Sequence, residues 1–178
     1  MKFETIRTHH PHYPFVEDLF VTAFPENERR PLEKQRTHID SHPRFSCLLV
    51  SEDERPVGFI TVWDFGSFRY GEHFAIDPTL RNGGFGARTV QALLSQNDRP
   101  FVLEVELPDT ELSRRRIGFY ERQGFRVWTK DYVQPPYREG DEPLPMYLMI
   151  ASDGKSGALD TDEVVRTIHR EVYGYNKE

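Results

Sequence analysis

Residues 45–77 constrain this chain more than any other stretch. "FSCLLVSE" (45–52) and "PVGFITVWDF" (56–65) are strand-like runs separated only by "DER", and "SFRYGEHFAID" (67–77) follows almost at once. Connections this short leave no room for a crossover, so the three runs read as antiparallel strands joined as hairpins. The next stretch, "PTLRNGG" into "FGARTVQALLSQ" (85–96), moves from a two-residue to a helical period, with Phe85, Val90, Leu93 and Leu94 on one stripe. A sheet that begins with hairpins and then enters a glycine-rich turn before a helix excludes the simple alternating strand–helix architectures.

The flanking segments complete the order. "KFETIRT" (2–8) reads as a strand, although Phe3 and Ile6 are separated by an odd step. "YPFVEDLFVTAF" (13–24) sets Phe15, Val16, Leu19, Phe20 and Ala23 at helical spacing. Pro31 opens a second short helix and Pro43 closes it. Beyond the glycine turn come a strand (99–107), a helix (113–123) stopped by Gly124, two strands (125–133 and 145–152) and a capped amphipathic tail helix. This predicts one α+β domain, 1–178, with a mixed, mostly antiparallel sheet of six to seven strands flanked by helices. The crossover around 67–107 is expected to be parallel and right-handed. The 145–151 strand, with Met146, Leu148 and Ile150 on one face, is either an edge through which a homodimer would form or a strand whose apolar face is core.

Composition narrows the function classes. A net charge of −6, from 23 basic and 29 acidic residues, argues against a nucleic-acid-binding face. Cys47 is the only cysteine, so neither an internal disulfide nor a cysteine zinc cluster is available. The opening "MKFETIRTHHPHYPF" has no long apolar run, which predicts neither a leader nor a membrane span, and the expected location is cytoplasmic. His9, His10 and His12, and His38 with His42 at i,i+4, lack the acidic partner of a helical zinc motif, so no metal is expected.

The turn "RNGGFGART" (81–89) therefore carries the functional reading. Glycines before a helix bare backbone N–H groups at the positive end of its dipole, which suits an anion. Gly86 is followed by Ala87 and Arg88 where a P-loop needs Lys and Ser/Thr, and the hairpins upstream do not fit a Rossmann unit. What remains is Arg81, Gly84 and Gly86 in an R-x-x-G-x-G spacing. "RRRIGFYERQGF" (114–125) supplies a second signature through Tyr120, Gly124 and Phe125, and "VLEVE" (102–106) a third.

Together, across residues 45–133, these motifs resemble the GNAT superfamily of N-acyltransferases. The resemblance implies transfer of an acetyl group from acetyl-CoA to a primary amine by direct attack, without metal or acyl-enzyme. Arg81, Asn82, Gly83, Gly84, Phe85, Gly86 and Ala87 would hold the diphosphate, with Arg88 adding charge, and backbone groups of Phe74 and Ile76 would grip the pantetheine. Tyr120 would be the general acid toward the leaving thiolate. Glu104 and Glu72 are equal candidates for the general base, with Glu106 behind them; Glu104 and Glu106 share one strand face. By strand parity His73 should face away from Glu72 and be structural. Many relatives carry Asn seven residues before the tyrosine; here that residue is Ser113, so Arg114, Arg115 or Arg116 would reach the adenosine phosphate. Phe20, Phe24, Tyr132 and Tyr137 are expected walls for the amine. Two other readings stand beside this one: a non-catalytic acyl-CoA-binding module, and an interaction domain whose glycines serve packing only.

Overall fold

Asp53 and Glu54 take φ values of 49° and 64° and close the first hairpin in two residues, the pattern of a type I′ turn. They join β2 (Phe45–Glu52) to β3 (Arg55–Asp64), and β4 (Arg69–Ile76) pairs antiparallel with β3. The computed structural model describes residues 1–80, 82–96, 98–152 and 159–175. The other elements are β1 (Lys2–Ile6), α1 (Tyr13–Ala23), α2 (Leu32–Ser41), α3 (Phe85–Ser95), β5 (Phe101–Glu106), α4 (Glu111–Arg122), β6 (Arg126–Gln134), β7 (Leu144–Ala151) and α5 (Thr161–Tyr173). Short 3-10 turns lie at Glu26–Glu28 and Pro78–Leu80.

The seven strands form one sheet in the order β1-β2-β3-β4-β5-β7-β6, antiparallel throughout except for the β4–β5 pair. Apolar residues of α1, α2 and α5, including Val16, Phe20, Ile39 and Ile168, bury one face of the sheet. Val90 and Leu93 of α3 and Ile117 of α4 bury the other. Central β3 is covered on both faces, so Val57 through Trp63 are all buried, as a nearly continuous apolar run broken only by Thr61 requires.

Two expectations need correction. The 145–151 strand is not an edge: β7 lies between β5 and β6, its Leu148 and Ile150 are core, and the edges are β1 and β6. A dimer through that strand is therefore ruled out by its own backbone pairing. The second concerns His73. Val62 pairs with Gly71 and Thr61 with His73, so Glu72 is an extra residue bulged out of the β4 register. The bulge breaks the alternation that parity assumes. Glu72 bonds Trp63 while His73 packs on Phe20 and Phe24, and both side chains lie on the α1 face.

Candidate functional site

The two parallel strands part company at this bulge. β4 and β5 pair only at Arg69/Phe101, Tyr70/Val102 and Gly71/Leu103. Beyond that point β4 continues to Ile76 and β5 to Glu106 without bridging, which leaves a wedge-shaped gap. Asp77 N–H donates to Val57 O on β3. Alternation along the strand then turns the backbone groups of Phe74 and Ile76 away from β3, toward the gap. A cavity of about 400 Å³ follows that edge, from Ile76 and Pro78 to Glu104 and Tyr120.

The glycine turn lies at the outer end of the gap. Asp77 Oδ1 accepts from the Thr79 N–H and hydroxyl, and Gly83 N–H donates to Leu80 O. Asn82 (φ 68°) and Gly84 (φ 72°) are left-handed, and Gly84 is the N-cap of α3 with no side-chain cap. Arg88 N–H to Gly84 O is the first bond into that helix, so the amides of Phe85, Gly86 and Ala87 stand outside its ladder. A Cβ on Gly86 would sit 3.5 Å from Phe119 of α4. Arg88 is folded back: it donates to Gly83 O and to Glu52, and its guanidinium lies 4.6 Å over the Phe85 ring. Arg81 lies outside the described residues.

Glu72 and Glu104 flank the point where the strands separate, one from each arm. Glu72 is wholly buried and tied to Arg30 by two guanidinium N–H groups, to Trp63 Nε1 at 2.9 Å and to the Tyr137 hydroxyl at 2.8 Å. Burial pushes its carboxyl up, but the Arg30 charge and these hydrogen bonds outweigh it and hold the group below the ordinary carboxylate range. Arg30 also donates to Gln35, and its guanidinium sits over the rings of Phe45, Trp63 and Tyr137.

Glu104 is partly buried and has only neutral donors: Tyr132, Gln134 Nε2 at 2.6 Å and the Tyr173 hydroxyl at 2.8 Å. Burial dominates there, and despite those hydrogen bonds the carboxyl is pushed up. Glu106 is half-exposed and paired with Arg116 at 2.5 Å. The like-typed carboxylates of the sequence thus become three different groups.

Tyr120, near the end of α4, packs edge-on against Phe119 and Phe125 and borders the same cavity as Glu104. Burial pushes its phenol up to about 12, so it is a proton donor throughout the neutral range. Ser113 closes a capping box with Thr110 at the start of α4. Arg114 donates to Pro108 O, Arg115 pairs with Glu111 and Arg116 with Glu106.

The expected walls divide. Phe24 and Tyr137 line a second cavity of about 270 Å³ on the α1 side of Glu104. Phe20 is core beneath His73, and Tyr132 is committed to Glu104. His38 and His42 stack at 5.1 Å, with His38 Nδ1 on Lys34 O. Among the described residues no group of three or more His, Cys, Asp or Glu is placed to hold a metal ion. Burial pushes the Cys47 thiol up to about 12, which makes it an inert core residue. No described helix is long and apolar enough to cross a membrane.

Arg30, Gln134 and Tyr173 were missed by the sequence reading. Arg30 lies in "PENERRP", which reads only as a helix breaker, and its partner Glu72 is 42 residues away. Tyr173 arrives from the last helix, and no local pattern marks it.

The sequence matches the family model described as the acetyltransferase (GNAT) family over residues 13–125. A Bacteroides thetaiotaomicron protein assigned to the GNAT acetyltransferases is 46% identical, with 99% of this chain and 100% of that one covered at a TM-score of 0.93. A Bacillus subtilis acetyltransferase in complex with CoA shares the fold at 13% identity, over 85% of this chain and 97% of that one, at a TM-score of 0.58. An Elizabethkingia anophelis GNAT acetyltransferase with acetyl-CoA bound shares it at 16% identity, over 85% and 97%, at 0.59. No curated protein matches the sequence.

Proposed function

The chain belongs to the GNAT family of acetyltransferases, and on that premise we propose that it transfers the acetyl group of acetyl-CoA to a primary amine by direct attack. The observation that carries this reading is the pairing of Glu104, a carboxyl pushed up by burial with no cation on it, with the Tyr120 phenol on one cavity at the mouth of the strand gap.

The residues fit the co-substrate. The free amides of Phe85, Gly86 and Ala87, with Asn82, Gly83, Gly84 and Arg81, would hold its diphosphate. The outward backbone of Phe74 and Ile76 would pair with the pantetheine arm. Acetyl-CoA supplies an acyl group activated as a thioester.

Glu104 takes a proton from the incoming ammonium, since only the neutral amine is a nucleophile. The amine nitrogen bonds to the acyl carbon, the carbon–sulfur bond breaks, and the nitrogen gives its second proton to solvent; Glu104 then releases the first. Tyr120 gives its proton to the departing sulfur and regains one from solvent. The products are the N-acetylated amine and CoA. Glu72, neutralised by Arg30, anchors the bulge instead of moving protons. We read the chain as a single domain, 1–178, working in the cytoplasm with no metal.

Calorimetric titration with CoA and a panel of primary amines assayed for CoA release test this reading. CoA binding with no turnover across the panel would favour a non-catalytic binding module. No binding at millimolar CoA would leave an interaction domain.

A further inference from the structure

The 270 Å³ cavity on the α1 side of Glu104 carries more carboxylate than its own cations neutralise. Glu28, Glu72, Glu104 and Glu106 all line it. Glu72 is neutralised by Arg30, and Glu106 by Arg116. Two carboxylates are left over. Glu104 meets the reacting amine. Glu28 is half-buried, and among the described residues its side chain has neither a hydrogen-bond nor an ion-pair partner. Burial, reinforced by the nearby Glu106 charge and only partly offset by Arg116, pushes the Glu28 carboxyl up.

An independent feature of the same wall points to a bound N–H donor. His73 is 2% exposed and lines the cavity. Its Nε2 faces Glu28 O at 3.0 Å and must donate to it, which leaves Nδ1 as a bare acceptor, and that atom has no hydrogen-bond partner. A buried acceptor left without a donor is costly, and this one faces Glu72 Oε2 at 3.9 Å, two acceptors between which a bound N–H donor is wanted.

Resting on the acetyl-transfer reading above, we propose that the acceptor is a primary amine carrying a second cationic centre, the reacting nitrogen at Glu104 and the remote cation at Glu28. An α,ω-diamine is the simplest member of that class. A neutral tail would leave Glu28 desolvated and unpaired, and an anionic tail would be repelled by it.

Initial rates of CoA release with acetyl-CoA are to be compared for 1,4-diaminobutane, n-butylamine and 4-aminobutanoate. The expected kcat/KM for the diamine exceeds that for butylamine by about tenfold, the scale of one charge-assisted contact. Glu28→Gln brings that ratio close to one, and Glu28→Lys turns the preference toward 4-aminobutanoate; far-UV circular dichroism checks that both variants are folded. Equal kcat/KM for diamine and butylamine in the wild type, or a ratio indifferent to Glu28, overturns this inference and leaves acetyl transfer standing. Acceptance of no amine at all while CoA still binds overturns the transfer reading, and this inference with it.

Discussion

Glu72 and Glu104 are the first residues past the last bridge between β4 and β5, yet one is matched to a buried guanidinium and the other only to neutral donors. Their chemistry diverges accordingly: the first is held low, the second pushed up. Replacing each should separate catalysis from stability. Glu104→Gln keeps the size of the side chain and removes the base, so kcat/KM for any accepted amine is expected to fall on the order of 100-fold or more. CoA affinity, read by calorimetry, should hold. A rate within a few fold of wild type would remove Glu104 from the mechanism.

Glu72→Ala leaves Arg30 buried without its counter-charge, and breaking such a pair costs about 3–5 kcal/mol. Urea unfolding should show that loss at neutral pH. The linkage has a definite sign. A carboxyl whose folded value is lowered contributes stability above its unfolded value, 4.5 here, and loses it as pH falls through the folded value. The wild-type advantage over Glu72→Ala should therefore shrink below pH 4.5; an advantage unchanged in acid would contradict the ion-pair account.

The acid limb of kcat/KM should report Glu104. Its carboxyl keeps a proton to higher pH in the folded enzyme than in the unfolded chain. The working carboxylate is thus lost early as pH falls, and the limb should lie above the ordinary value of 4.5. In Glu104→Gln the residual rate should lack that limb. A limb that persists in the variant belongs to another group.

Tyr120→Phe deletes one hydroxyl and leaves the edge contacts with Phe119 and Phe125 in place. The expected result is a kcat lower by roughly 100-fold, with KM for acetyl-CoA little changed, because the phenol acts on the leaving sulfur and not on ground-state binding. Unchanged kcat with every accepted amine would end its role as acid.

Gly86→Ala separates close approach from packing. The added Cβ would make an ordinary 3.5 Å contact with Phe119, and alanine is the better helix former, so stability should hold or rise by up to about 1 kcal/mol. CoA binding should weaken roughly tenfold, the scale of one lost hydrogen bond to a charged group. Unaltered affinity would place the diphosphate elsewhere.

Most of the element order was legible in the sequence, because hairpin spacing, helical stripes, Gly124 and the glycine turn are local signals set by sterics and backbone conformation. The positions of Tyr120 on α4 and of the glycine turn at the start of α3 were legible for the same reason. The helix before Tyr120 starts at Glu111 instead of 113, since the Thr110–Ser113 capping box moves its first turn.

Tertiary structure decided the rest. Parity could not foresee that one extra residue at Glu72 resets the register and brings His73 to the same face. Nor could it show that β7 slots between β5 and β6, or that Arg30 and Tyr173 converge on carboxylates 42 and 69 residues away. Local pattern determines which segments form strands and helices. Which glutamate keeps its proton depends on burial and on distant charges, and those exist only once the chain has packed.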